Sequence, residues 1–169
     1  HVIGEFYSAG LVSARIQCRR HLGHFWYSFI RSTEGKSSGV HENTSATGLD
    51  MTLRILFRVL QGASSPLQPS YRHLLFYILL PLHRPSSMVL WRDQTPILDL
   101  YHEPLVQSIA FLLKEQPEWK SPTISALIAS DIWPHAKGGS NGSNTPKIVL
   151  LLHEINTILT LPGDIDDHT

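Results

Sequence analysis

Ten histidines in a chain of 169 residues raise metal chemistry first. His21 and His24 stand three apart, which places both on one face of a helix, and Asp164, Asp166, Asp167 and His168 crowd the C-terminal tail. A metal site needs ligands that converge with defined geometry and are oriented by further partners. Neither HExxH nor CxxC occurs, so surface histidines and a disordered acidic tail over 163–169 explain both groups better. Nucleophilic catalysis is no better served. There is no G-x-S-x-G, and Cys18 falls on the apolar side of its helix, where a thiol is inert. No P-loop or dinucleotide glycine pattern is present. The reading is a non-enzyme with no cofactor and no metal. Two i, i+4 arginine pairs, Arg15 with Arg19 and Arg54 with Arg58, could attract acidic or phosphorylated segments, although solvated helix surface is the stronger reading. Glu154, on the polar side of the last predicted helix, reads either as a partner contact or as ordinary surface.

Fourteen basic and fourteen acidic residues cancel, which gives no bulk attraction to nucleic acid or anionic lipid. The single cysteine excludes an internal disulfide and fits a reducing compartment, cytoplasm or nucleus. Two sequons, at Asn43 and Asn141, carry weight only in a secreted protein. The apolar run from Leu74 to Leu80 is far below the roughly 18 residues of a membrane span, so no membrane partner is expected. A start at His1, with no charged and apolar leader after it, reads as a fragment or a processed product.

The elements that must position any site are helical. Thr145 with Pro146 opens a helix over 145–161 in which Ile148, Leu151, Leu152, Ile155, Ile158 and Leu159 recur with helical spacing. Ser121-Pro122 opens another over 121–133, Pro104 lies in a third over 101–116, and Pro69 begins a fourth over 69–84. Thr47-Gly48-Leu49-Asp50 resembles a capping box ahead of a helix over 47–61 that Gly62 would stop, and Cys18, Leu22, Phe25, Trp26 and Phe29 share a face over 13–32. Six helices pair in sequence. First members start roughly 52 to 56 residues apart, above the ~40 to 47 of a two-helix HEAT repeat, and hydrophilic inserts near 34–46 and 136–144 supply the excess. The connection from Pro85 to Leu100 is apolar enough to be packed. The predicted fold is all-α, a HEAT-like helical-repeat solenoid of about three helix pairs over 1–162, with 74–80 as the most buried part of the middle pair.

Four segments, in order, then carry a family resemblance: Leu80-Pro81-Leu82-His83-Arg84, Tyr101 to Leu105, Ile128 to Pro134 and His153-Glu154-Ile155. With the basic and aromatic stretch of Arg15, Arg19, Arg20 and Phe25 to Ile30 upstream, this order resembles the B-prime family of regulatory subunits of protein phosphatase 2A. The resemblance implies a right-handed HEAT-like solenoid, of which this chain supplies the central repeats. It also implies a non-catalytic regulatory subunit with the phosphatase scaffold and catalytic subunits and short-linear-motif substrates as partners. A generic HEAT or armadillo interaction module predicts the same periodicities without the ordered landmarks.

By the same resemblance, a Leu-x-x-Ile-x-Glu peptide docks in a groove between central repeats. Arg15 matches a groove arginine, Ile55 and Val59 match an aliphatic pair lining the isoleucine pocket, and His1 matches the first residue of a histidine-arginine pair that opens the groove. Ile55 and Val59 also sit off the main stripe of Leu49, Leu53, Leu56, Phe57 and Leu60, as a peptide pocket or a second packed face would require. Where the family holds the acidic end of the peptide with a lysine and a histidine, this chain has Gln68 and Tyr71. Both can donate hydrogen bonds without a fixed charge, which predicts weaker recognition of glutamate.

Overall fold

The computed structural model describes residues 12–34, 42–62, 67–85, 88–89, 95–133 and 145–162. Three helix pairs follow one another. Helix α1 (Val12–Glu34) pairs with α2 (Glu42–Gln61). Helix α3 (Pro69–Leu74) runs on through a π turn (Leu75–Leu79) and a 3-10 turn (Leu80–His83), and pairs with α4 (His102–Glu115). Helix α5 (Lys120–Leu127) pairs with α6 (Thr145–Thr160). Second members stack on second members: α2 lies along α4, the most extensive contact between helices, and α4 meets α6. First members do the same, α1 meeting the π and 3-10 turns and the 3-10 turn meeting α5. Two layers of stacked helices sharing one core are the all-α repeat architecture that the periodicities predict.

The local breaks have local causes. Pro81 has no N–H to give the carbonyl four residues back, and its ring crowds that carbonyl. The helix answers by loosening, with the Leu80 N–H donating to the Leu75 carbonyl five residues back, and then tightens into the 3-10 turn, where the Arg84 N–H reaches the Pro81 carbonyl at 3.1 Å. This brings Leu80, Pro81, Leu82 and His83 all inward. Tyr101, fully buried, donates its hydroxyl to the Leu82 carbonyl at 2.9 Å and meets Phe29 edge-on at 5.8 Å, tying the first and second pairs. Burial pushes the Tyr101 hydroxyl pKa up, so it stays a donor. Within the first pair, Trp26 donates Nε1–H to Thr52 Oγ1 at 2.9 Å, and Thr52 in turn donates to the Leu49 carbonyl.

Several boundaries differ from expectation. Helix α2 begins at Glu42, so Thr47 lies inside it rather than at its start. Adding a turn to a nucleated helix gains one bond per residue fixed, which lets it extend into the hydrophilic stretch. Helix α5 stops at Leu127 rather than running to 133. Tight bonds from the Ala129 N–H to the Ala126 carbonyl and from the Ile132 N–H to the Ala129 carbonyl carry the chain through turns instead. The connection before α4 is packed, with Ile97 and Leu98 buried in a 3-10 turn (Ile97–Leu100). It also contains a minimal antiparallel ladder of β1 (Met88–Val89) and β2 (Thr95–Pro96), Val89 opposite Thr95. In the middle pair α4 is the more buried member, because Tyr77 stands 65% exposed on the π turn. The 136–144 insert and the 163–169 tail lie outside the described residues.

Candidate functional site

Where α1, α2 and the start of α3 meet, their side chains leave a cleft of about 400 Å³. Helix α1 contributes Leu22, Gly23 and Trp26, α2 contributes Leu56 and Val59, α3 contributes Tyr71 and Leu74, and the π turn contributes Ile78, so the walls are chiefly apolar. Arg20, Ser70 and His73 supply the polar part of the lining. Gly23 matters here, because a Cβ at that position would meet nothing within 4 Å. A pocket of this size and lining suits one or two aliphatic side chains of an extended ligand.

Of the residues singled out in the sequence, the structure brings Val59 and Tyr71 together in this cleft. Ile55 is half-buried one turn before Val59 and is not among the cleft walls. Gln68 is exposed at the N-cap of α3 with an extended backbone, and its side chain makes no capping bond. Arg15 lies in α1 two turns before Leu22, but its side chain, like all of His1, lies outside the described residues, as does the side chain of Cys18. His21 and His24 are exposed on α1, and among the described residues no group of three or more His, Cys, Asp or Glu could hold a metal ion. Arg54 is not a free cation. It bonds Asp50 in its own helix and Glu103 on α4 at 3.0 Å, and its pKa is raised first by the Asp50 bond. Arg58 donates to Gln61.

A second constellation, which the sequence does not announce, lies between the second and third pairs. Glu154 of α6 is fully buried, which corrects the surface reading of LLHEI. His83 Nε2 stands 2.9 Å and His102 Nε2 3.1 Å from the same oxygen, Glu154 Oε2. His83 Nδ1 faces the Leu80 carbonyl at 2.9 Å, and a carbonyl cannot donate, so Nδ1 carries a hydrogen and a second hydrogen lies between Nε2 and the carboxylate. Burial by itself would raise the Glu154 carboxyl pKa, but the charge and N–H bonds of His83 and His102 outweigh it and hold the group well below the ordinary carboxylate range. Lys147, also fully buried, donates from Nζ to the Arg84 carbonyl at 3.3 Å. Desolvation brings it down to about 8 despite the opposing pull of Asp131. The signal that could have revealed this is the buried stripe of α6, Lys147, Leu151, Glu154 and Ile158, whose spacing is fully helical but half of which is charged.

The cluster binds structure rather than reacting: it is sealed from solvent and joins three elements. The cleft, by contrast, is open and chiefly apolar. The profile of the family described as protein phosphatase 2A regulatory B subunit (B56 family) matches residues 15–162. The 56 kDa regulatory subunit delta isoform of serine/threonine-protein phosphatase 2A from Homo sapiens is 29% identical over 145 residues, covering 86% of this chain and 19% of the relative. Its namesake in Saccharomyces cerevisiae is 28% identical over 147 residues, covering 87% of this chain and 16% of that protein. The B′ theta isoform of the 57 kDa regulatory subunit in Arabidopsis thaliana is 26% identical over 141 residues, covering 83% and 23%. The chain thus spans about a fifth of the length of the curated relatives it matches. With the ordered landmarks, the stacked helix pairs and a family match over nearly all of its length, this chain belongs to the B56 family of protein phosphatase 2A regulatory B subunits.

Proposed function

We propose that this chain forms part of a non-catalytic regulatory subunit of protein phosphatase 2A, acting in cytoplasm or nucleus. It joins the scaffold and catalytic subunits and holds substrates where the catalytic subunit can reach them. Family membership over residues 15–162 carries this reading, and relatives named as regulatory subunits in animals, yeast and plants support it. Substrates dock as short linear motifs in the cleft, an aliphatic side chain entering beside Val59 and the following polar group meeting Tyr71 and Gln68. The convergence of Val59 and Tyr71 on one apolar recess supports that assignment. Gln68 and Tyr71 are donors without fixed charge, so a terminal glutamate gains less here than beside a cation.

Two measurements test the reading. Affinity capture should recover the scaffold and catalytic subunits with this chain and with its full-length parent; recovery of neither rejects the phosphatase role. Titration with a Leu-x-x-Ile-x-Glu peptide should show binding that Val59→Ala weakens and Tyr71→Ala weakens further, with helix content unchanged. Equal binding by all three proteins removes the peptide from the cleft.

A further inference from the structure

The cleft between the first and second helix pairs carries its charge on one side. It lies inside the stack, between two pairs that are both described, so neither end of the stack forms it. Most of the described arginines are occupied. Arg54 and Arg84 bond acidic side chains, Arg58 bonds Gln61, and Arg72 lies over the Phe76 ring at 5.3 Å. Arg20 is exposed, lines the cleft and makes no hydrogen bond or ion pair among the described residues. His73, also exposed and on the lining, has its ring stacked on Tyr77, with 4.5 Å between centroids and 20° between planes. Stacking fixes the plane of that ring through its faces and leaves the nitrogens at its edge to bond a ligand. The two residues stand at the same end of the cleft. Phe29, late in α1, meets Tyr101, which bonds the Leu82 carbonyl beyond the π turn, and α1 also touches the π and 3-10 turns. Helices α1 and α3 thus run side by side in one direction, which brings their earlier residues together, Arg20 on one and Ser70 with His73 on the other. No acidic residue stands among the described lining residues to oppose them.

We propose that Arg20 and His73 are the residues that select an acidic side chain in the docked segment. The Arg20 guanidinium takes the carboxylate of an aspartate or glutamate, with the His73 ring edge and the Ser70 hydroxyl as further donors, while the aliphatic side chain fills the recess beside Val59. The assignment rests on the docking reading above and adds the source of its charge selectivity. Gln68 and Tyr71, on the α3 side, offer donors without fixed charge, so a ligand acid gains more by turning to the α1 lip. An unpaired guanidinium presents a planar fork that matches a carboxylate with two parallel bonds. The charge count makes the same choice. Arg20 is the one fixed cation among the described lining residues and balances a single negative charge, whereas a phosphoryl group brings about −1.5 to −2. The apolar walls beside the pair keep water back on one side, which strengthens the attraction over that of a fully solvated pair.

Titration of the full 169-residue chain with two peptides, Leu-x-x-Ile-x-Glu and Leu-x-x-Ile-x-Gln, reads the proposal as a ratio of affinities. Wild type should prefer the glutamate peptide by about fivefold to tenfold, and the preference should shrink as salt is raised. Arg20→Gln should bring the ratio near unity. Arg20→Lys should restore part of it, because a point charge returns without the fork. His73→Ala should lower the ratio by about twofold, as the loss of one further donor does. Helix content should be unchanged in each variant, since both positions are exposed. A preference that survives Arg20→Gln, or a wild-type ratio near unity while both peptides bind, overturns the assignment and leaves the docking reading standing. Failure of both peptides to bind overturns the docking reading and the assignment with it. Phosphoserine in place of the glutamate, if it binds more than about tenfold tighter, overturns the carboxylate in favour of a phosphate.

Discussion

The two junctions between successive helix pairs are built on different principles. The first, where α1 and α2 meet α3 and α4, is held chiefly by apolar contact, one edge-on aromatic pair and an exposed bond from Arg54 to Glu103, and it leaves a cleft open. The second, where the end of α3 and the start of α4 meet α6, is pinned by directional bonds that converge on one buried carboxylate, with Lys147 holding the Arg84 carbonyl beside them. Apolar contact has no preferred direction and lets neighbours part slightly without losing everything. Buried hydrogen bonds to a charge do not: the partners meet in one arrangement or leave costly unpaired groups. The same repeat therefore makes a junction that can receive a ligand and a junction that fixes angle.

The contrast can be broken most forcefully at Glu154. Glu154→Ala leaves His83 and His102 without their shared acceptor and should cost about 3–5 kcal/mol in urea-induced unfolding, as loss of one partner of a buried ion pair does. A loss below about 1 kcal/mol would show the second junction to be no more directional than the first. Acid should then separate the junctions without a mutation. The Glu154 carboxyl is held below its ordinary value of 4.5 in the folded chain, so its stabilising contribution is complete above that pH and drains away as pH falls beneath it. The difference in stability between wild type and Glu154→Gln, followed from pH 7 downward, should shrink over that window; a constant difference would contradict the assignment.

At the alkaline end the slope has the same sign, although there it reports a penalty relieved rather than a contribution lost. Lys147 is brought down from 10.5 to about 8, so the unfolded chain holds the extra proton between those values and folding gains stability as pH rises through them. Lys147→Met should abolish that rise, and a wild-type stability that tracks the variant from pH 8 to pH 10 would dismiss it. The gentlest change belongs to the first junction. Gly23→Ala adds a methyl to open space in the middle of α1, so thermal unfolding should show a gain of about 0.5–1 kcal/mol, whereas a comparable small addition at the packed second junction would lower stability.

The helices were legible because prolines, apolar spacing and a glycine stop are local signals, and α1, α2, α3, α4 and α6 lie where those signals place them, apart from the earlier start of α2. The position of Val59 on a cleft wall follows the same kind of local signal, an apolar residue off the main stripe of its helix. The buried cluster was not. Apolar spacing in 145–161 assigned Leu152 and Leu159 to the core, but the observed helix is rotated so that Lys147 and Glu154 face inward and those leucines face out. A carboxylate enters a core only when donors await it, and the donors here come from residues 71 and 52 positions away. No window along the chain contains both halves of that arrangement. The early end of α5 was hidden for a related reason, since residues 128–133 keep helical spacing while their backbone closes in tighter turns.

The π turn at Leu75–Leu79 has a consequence of its own. A turn that holds one residue more than its neighbours puts the two ends of a helix out of phase by about 100°. Upstream of the surplus residue, Tyr71 and Leu74 point to the cleft; downstream, His83 points to Glu154. The surplus residue acts as a clutch between the receiving junction and the angle-setting one. Deleting a single residue between Leu75 and Leu79 should let the segment relax to regular α-helix up to Pro81 and swing His83 off its carboxylate, while Tyr71 and Leu74 keep their places on the cleft wall.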